Sequence, residues 1–359
     1  MLIIFAAAII MLGARCAPRG SFYDDSFSQT QTRALKGIFA ILVMLHHLCT
    51  YLADSFASLF IFKHVGYLMV GGFFLISGYG LTYGVKNKQN YLKGFFRSRI
   101  LTILIPYYII NLGYLFLNYF LINNPEGFKK YVIRSIFGLH LWYVPVMIVL
   151  YAAFFLCFKI FKEKHGHIAI TVFVAAFVTL FFASYKCGIL PSYGRWWYNS
   201  TMCFALGVWY SKYKERINEL IRRRYTLTAS ASIILFFILF AAATKCYSYD
   251  SALTLGLEML CAALFCASVI ILSLKIKIGN KLINICGDLS FELYLSHALF
   301  ISIFRWGRPI SIPFLNIDYY LYVSNPDTYL CSILIASFIF STCVHRIAKL
   351  ISKPIIKKK

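Results

Sequence analysis

The chain has 359 residues, 60% hydrophobic, 18% aromatic and only 14% charged, with a mean hydropathy of +0.72. A soluble domain lacks the polar surface to keep that much apolar side chain from water, so an ordinary soluble enzyme is excluded. Long apolar runs with few charges instead read as an all-α polytopic membrane protein.

In chain order, the segment MLIIFAAAIIMLGAR (1–15) comes first. It lacks a basic leader and a clear cleavage site, which argues against a signal peptide, and it is short for a span. It reads as a non-catalytic membrane element, either an extra helix or an interfacial segment, joined by a linker ending at residue 32. A transmembrane domain follows over 33–346, with a basic cytoplasmic tail over 347–359. Ten spans are predicted at 35–53, 65–85, 101–121, 139–158, 167–185, 196–211, 226–244, 251–274, 289–304 and 328–345.

The loops test that count. With the first segment cytoplasmic and Lys36 at the entry of the first span, cytoplasmic stretches hold 27 of the 36 Lys and Arg residues, leaving 9 outside. A bias that alternates loop by loop is what the positive-inside rule requires. Both ends of the ten-helix bundle are therefore expected in the cytoplasm, in a plasma or inner membrane. The net charge of +23 then follows from topology and attraction to anionic lipid headgroups, with no nucleic-acid partner needed. Some of these cations remain candidates for gripping an anionic cytosolic ligand.

The first span begins RALKGIFAILVMLHHLC (33–49). Ionisable side chains inside a bilayer are costly and face a partner or a cavity. At about 100° per residue, Lys36 and His47, eleven apart, share a helix face to within about 20°. His46 is turned away from it by about 80°, and His47 stands roughly 16 Å above Lys36. A neutral imidazole is a general-base candidate near neutral pH. The other reading is a histidine hydrogen-bonded between helices.

In the second span, VGGFFLISGYGLTYG (70–84), small residues including Ser77 and Gly78 either allow close helix packing or clear a slot for a narrow ligand. The entry to the third span carries Arg97 and Arg99, an ordinary cytosolic cluster that also suits a diphosphate. His140, Trp142 and Tyr143 open the fourth predicted span, and Trp197 lies in GRWWYN (194–199) at the start of the sixth. These aromatics fit either an interfacial belt or a sugar-stacking platform. Glu258 sits in the eighth span, Glu292 and His297 in the ninth. The eleven cysteines show no CxxC or Cys/His ligand spacing, so no metal is expected. Cys187 and Cys246, both in predicted outer loops, leave a disulfide open.

Taken together, these motifs resemble the acyltransferase-3 family of integral-membrane O-acyltransferases. The likeness rests on Lys36 and His47 with ten residues between them, and on Phe73, Phe74, Ser77, Gly78 and Tyr79. It continues through Arg97 and Arg99 before Pro106 and Tyr107, then His140, Trp142 and Tyr143. It ends with Gly287, Ser290, Tyr294, Leu295 and His297. Arg33 stands where many members carry an acid, and no SGNH-type domain follows the bundle in this sequence. The resemblance implies transfer of an acyl group, most simply acetyl, from acyl-CoA to a hydroxyl of a surface polysaccharide or glycolipid precursor. It implies donor contacts at Lys36, Arg97, Arg99, Ser77, Gly78 and His297, with His47 as base or transient acyl carrier. Lys36 and Glu258 would assist catalysis, and His140, Trp142, Tyr143 and Trp197 would meet the acceptor. The rival class is a proton-coupled transporter or flippase using the same histidines and glutamates as a relay. It would be favoured by inverted repeats or paired broken helices, and neither is found.

Overall fold

A computed structural model describes residues 12–52, 61–121, 125–189, 194–246, 251–305, 310–312, 317–319 and 322–357. The expected membrane element at the extreme N-terminus lies almost wholly outside the described residues. Twelve α-helices are described: α1 Gln29–Leu52, α2 Gly66–Asn87, α3 Phe95–Leu121, α4 Pro125–Ile136, α5 Tyr143–Lys186, α6 Met202–Lys212, α7 Lys214–Arg223, α8 Tyr225–Lys245, α9 Ala252–Ser273, α10 Lys281–Asp288, α11 Ser290–Phe304 and α12 Pro326–Lys357. The protein is an all-α polytopic membrane protein; the strands among the described residues are two short antiparallel pairs. In hydrocarbon every backbone polar group needs an internal partner, and helices supply one.

Seven of the described helices are long and apolar enough to cross a bilayer. One of them, α5, runs 44 residues but is broken at Lys162, whose φ of 52° and ψ of −168° are not helical. It therefore accounts for the two spans predicted over 139–158 and 167–185. Two predicted spans are shorter helices than expected. The 15-residue α11 and the 11-residue α6 measure about 22 and 16 Å, against about 30 Å of hydrocarbon. The span predicted from residue 196 starts as a 3₁₀ turn, Arg195–Trp197, and becomes α-helical only at Met202. Likewise the fourth predicted span becomes helical at Tyr143, leaving His140 and Trp142 in the preceding turn.

Helix starts follow local chemistry. Ser28 Oγ accepts from the Gln31 amide, Ser251 Oγ from Leu253, Asn280 Oδ1 from Ile283 and Asn325 Oδ1 from Thr328. Each satisfies an amide that the first helical turn leaves unpaired. Leu227, Ile234, Phe237 and Ile238 of α8 are exposed, as suits a face turned to lipid.

The chain divides into two compact units. The first comprises Met1–Val43, His64–Lys93 and Ala152–Asp288; the second comprises Met44–Lys63, Gly94–Tyr151 and Leu289–Lys359. Glycines set the close packing of the first. A Cβ on Gly37 would fall 2.3 Å from the Ile283 carbonyl, and one on Gly287 would fall 2.1 Å from that of Arg33. Helices α1 and α10 thus meet backbone to backbone.

A strap from Arg15 to Ser28 lies along the same unit. Arg15–Cys16 pairs with Ile276–Lys277, and the Ala17 and Tyr23 amides donate to the carbonyls of Lys275 and Leu274. Asp25 meets Lys277 at 2.6 Å and Asp24 meets Arg222 at 2.8 Å. The hydrogen bond from Lys277 is the main reason the Asp25 carboxyl is held below its usual range. A depressed carboxyl stabilises only while ionised, so this tie is present above the ordinary carboxylate range and is lost as pH falls through the depressed value. Hydrogen exchange at the Ala17 and Tyr23 amides is expected to accelerate on acidification, and Lys277→Ala to show the faster exchange already at neutral pH.

Candidate active site

The histidine pair of α1 is unequal. His46 donates Nδ1–H to the Phe62 carbonyl at 2.9 Å, which fixes it to the loop before α2. His47 makes no hydrogen bond with the described residues and is exposed. Its neighbours Met44, Leu45, Leu48 and Cys49 are all buried. His47 is thus an exposed residue interrupting a buried apolar stretch of α1.

A second ring lies beside it in the same unit. His297 of α11 is 3% exposed, and its ring centroid is 5.0 Å from that of His47, with the planes 37° apart. His46 is also 5.0 Å from His47, at 63°. The His297 Nδ1 sits 3.1 Å from the Leu293 carbonyl. A carbonyl only accepts, so Nδ1 carries the proton and Nε2 presents a lone pair. That Nε2 is buried without a hydrogen-bond partner among the described residues. Tyr294 lies 6.1 Å from His297 and 4.9 Å from Tyr143, so α5 and α11 brace the pair with aromatic contacts.

Five residues earlier on α11, buried Glu292 receives Nδ1–H from His345 of α12 at 2.8 Å. Sequence reasoning singles out Glu292 but misses His345, which sits late in the last span among basic residues that look like loop charges. His140 is half-buried among Tyr114, Tyr131 and Tyr107, at 5.4, 5.5 and 6.4 Å between centroids. Tyr114 donates to the Leu295 carbonyl at 3.0 Å. Trp142 contacts Tyr143 edge-on, and Tyr143 is buried. Arg97 is exposed and Arg99 half-buried at the start of α3. The second unit therefore holds His47, His297, His140, Trp142, Tyr143, Arg97 and Arg99.

The first unit holds the remaining expected residues. Lys36 is half-buried on α1, eleven residues before His47 on one continuous helix. Arg33 pairs with Asp288 at 3.1 Å. Ser77 is half-buried, but Gly78 does not border an open slot. A Cβ there would fall 2.1 Å from the Phe204 carbonyl, and one on Gly207 would fall 2.1 Å from that of Leu75. The small residues of α2 at this point serve its packing against α6.

Two more of the expected residues lie in this unit. Trp197, expected to stack on an acceptor, is 5% exposed, whereas its neighbour Trp196 is 40% exposed. Glu258, expected to assist catalysis, is buried and held by two partners: Arg195 Nε reaches its carboxylate at 2.9 and 3.1 Å, and Asn199 Nδ2 donates at 2.9 Å. Arg195 is legible as the one cation in the apolar, aromatic run GRWWYN, and a buried acid calls for such a partner. Cys187 and Cys246 are free thiols. Among the described residues no group of three or more His, Cys, Asp or Glu is arranged to hold a metal.

A family model described as an acyltransferase domain, Acyl_transf_3, matches residues 32–346. No curated protein and no solved structure matches the chain. The matched stretch begins at the first turns of α1 and ends just past His345, and so takes in every residue of the histidine site. The chain belongs to the acyltransferase-3 family and is a membrane-embedded acyltransferase.

Proposed function

We propose that the protein transfers an acyl group, most simply acetyl, from acyl-CoA to a hydroxyl of a surface polysaccharide or glycolipid precursor. The observation that carries this reading is His47, an exposed residue set in a buried apolar stretch, its ring without a hydrogen bond to the described residues. As general base, His47 takes the acceptor's hydroxyl proton as the oxygen attacks the thioester carbonyl carbon. The C–S bond then breaks, and the CoA thiolate recovers the proton from His47. The same ring is also placed to carry the acyl group briefly before passing it on.

Donor recognition falls to cations. Lys36, roughly 16 Å along the helix from His47, offers a point charge to the donor's phosphates at a separation comparable to a pantetheine arm. Arg97 and Arg99 carry forked donors that match phosphate oxygens, and the family resemblance assigns them to the donor. The family resemblance also assigns Ser77 to the donor. On the acceptor side, Trp142 supplies ring surface suited to a sugar, and His140 holds two buried ring nitrogens without a hydrogen-bond partner among the described residues. The positive-inside pattern favours a plasma or inner membrane, with donor entry from the cytosol.

The test uses purified full-length protein in lipid nanodiscs with radiolabelled acetyl-CoA and membrane-derived glycan precursors. Label is expected in an alkali-labile ester on carbohydrate. Label remaining on CoA, with unmodified precursor carried across the bilayer, would support the transporter reading instead.

A further inference from the structure

We infer that His297 is a positioning residue for His47, its Nε2 accepting an N–H from the His47 ring during turnover. The inference rests on the reading of His47 as the base and adds to it a reason why one nitrogen of that ring is basic. A neutral imidazole carries one N–H and one lone pair, and either tautomer is available to a ring with no partner. His47 has no hydrogen bond to the described residues, so its tautomer is set by whatever its neighbours offer.

The neighbours differ in what they offer. His46 has its Nδ1 proton engaged by Phe62, and its other nitrogen is not among the buried atoms left without a partner. His297 is sealed. Its Nδ1 proton is held by Leu293 and its Nε2 lone pair is shut off from solvent without a partner among the described residues. A buried acceptor left unpaired forfeits the hydrogen bond that water would have given it. The ring 5.0 Å away is that of His47, and a modest rotation brings an N–H to that lone pair. Resting structures commonly hold such catalytic hydrogen bonds long until substrate arrives.

Once made, the bond fixes chemistry. The His47 nitrogen facing His297 carries the proton, so the opposite nitrogen is the free base. When that nitrogen takes the hydroxyl proton, His47 becomes an imidazolium donating to a neutral acceptor. His297 accepts a hydrogen bond and no proton, and His47 returns its own to the departing thiolate. The other polar groups near the pair are Tyr294, which meets His297, and Tyr143 behind it.

The experiment compares purified wild type with His297→Phe and His297→Gln, measuring kcat and KM for acetyl-CoA together with thermal melting. Phenylalanine fills the space without an acceptor; glutamine restores one. His297→Phe is expected to lower kcat about 100-fold, the scale of a single positioned acid–base partner. KM for acetyl-CoA and the melting temperature should stay near wild type, and His297→Gln should recover to within about tenfold. A raised KM with unchanged kcat would make His297 a donor contact and overturn the inference. So would wild-type kcat in His297→Phe, or glutamine falling as low as phenylalanine. If His47→Ala is inactive while His297→Phe is not, the inference fails and the function stands. If His47→Ala is fully active, the reading of His47 as base is what fails.

Discussion

Replacing Arg195 with methionine is expected to cost about 3–5 kcal/mol of stability, because it strands the Glu258 carboxylate in a buried setting. The side chains of the pair are only 7% and 8% exposed, and the carboxylate takes hydrogen bonds from both Arg195 and Asn199. The pair ties the 3₁₀ turn Arg195–Trp197 to α9, and it sits where water cannot compensate a lost partner. Glu258→Leu alone should also be damaging, since it removes the carboxylate that faces a buried guanidinium. The double variant Arg195→Met/Glu258→Leu should recover most of the loss, as an apolar pair removes both desolvation costs. Thermal unfolding of the detergent-solubilised protein reads all three. Stable but inactive Glu258 variants would instead return the residue to catalysis.

A second large effect is expected where α2 and α6 touch. Gly207→Val would force a side chain into the Leu75 carbonyl, and Gly78→Val one into that of Phe204, each with a first atom at 2.1 Å. Backbone cannot step aside as a flexible side chain can, so each change should cost about 3 kcal/mol or more and reduce the folded yield. Two residues on, a Cβ added to Gly80 would meet no described atom within 4 Å. Gly80→Ala should therefore be neutral, or stabilise by roughly 0.5–1 kcal/mol through helix propensity. Monodisperse yield and melting temperature compare the three side by side.

The contrast between Gly78 and Gly80 marks the boundary of what is legible in the sequence. Small residues in a span announce either packing or an opening, and only the partner helix decides which. Hydropathy makes the apolar segments readable because a bilayer imposes length and polarity on each separately. It does not reveal that the sixth predicted span opens with a 3₁₀ turn, since Trp and Tyr are apolar in either backbone form. Nor does it find α4 and α7, whose mixed composition belongs to no span. Helical phase distinguishes His47 from His46 because both lie on one helix, and the structure gives only His46 a backbone partner. The approach of His297 to His47 joins residues 250 positions apart, and no local pattern encodes such a meeting. Likewise Glu258 is visible as an acid within a span and Arg195 as a cation in an aromatic run, but their meeting across 63 positions is not encoded locally.

The most direct measurement is kcat for acetyl transfer in His47→Ala and His46→Ala, assayed together with wild type at saturating acetyl-CoA. Loss of a general base lowers rate by about 10²–10⁴-fold, and His47→Ala is expected to fall in that range while remaining folded. His46→Ala removes one backbone tie and should keep kcat within about tenfold of wild type, because its ring is not the one that takes the proton. Equal losses in the two variants, or an active His47→Ala, would contradict the assignment of the chemistry to His47.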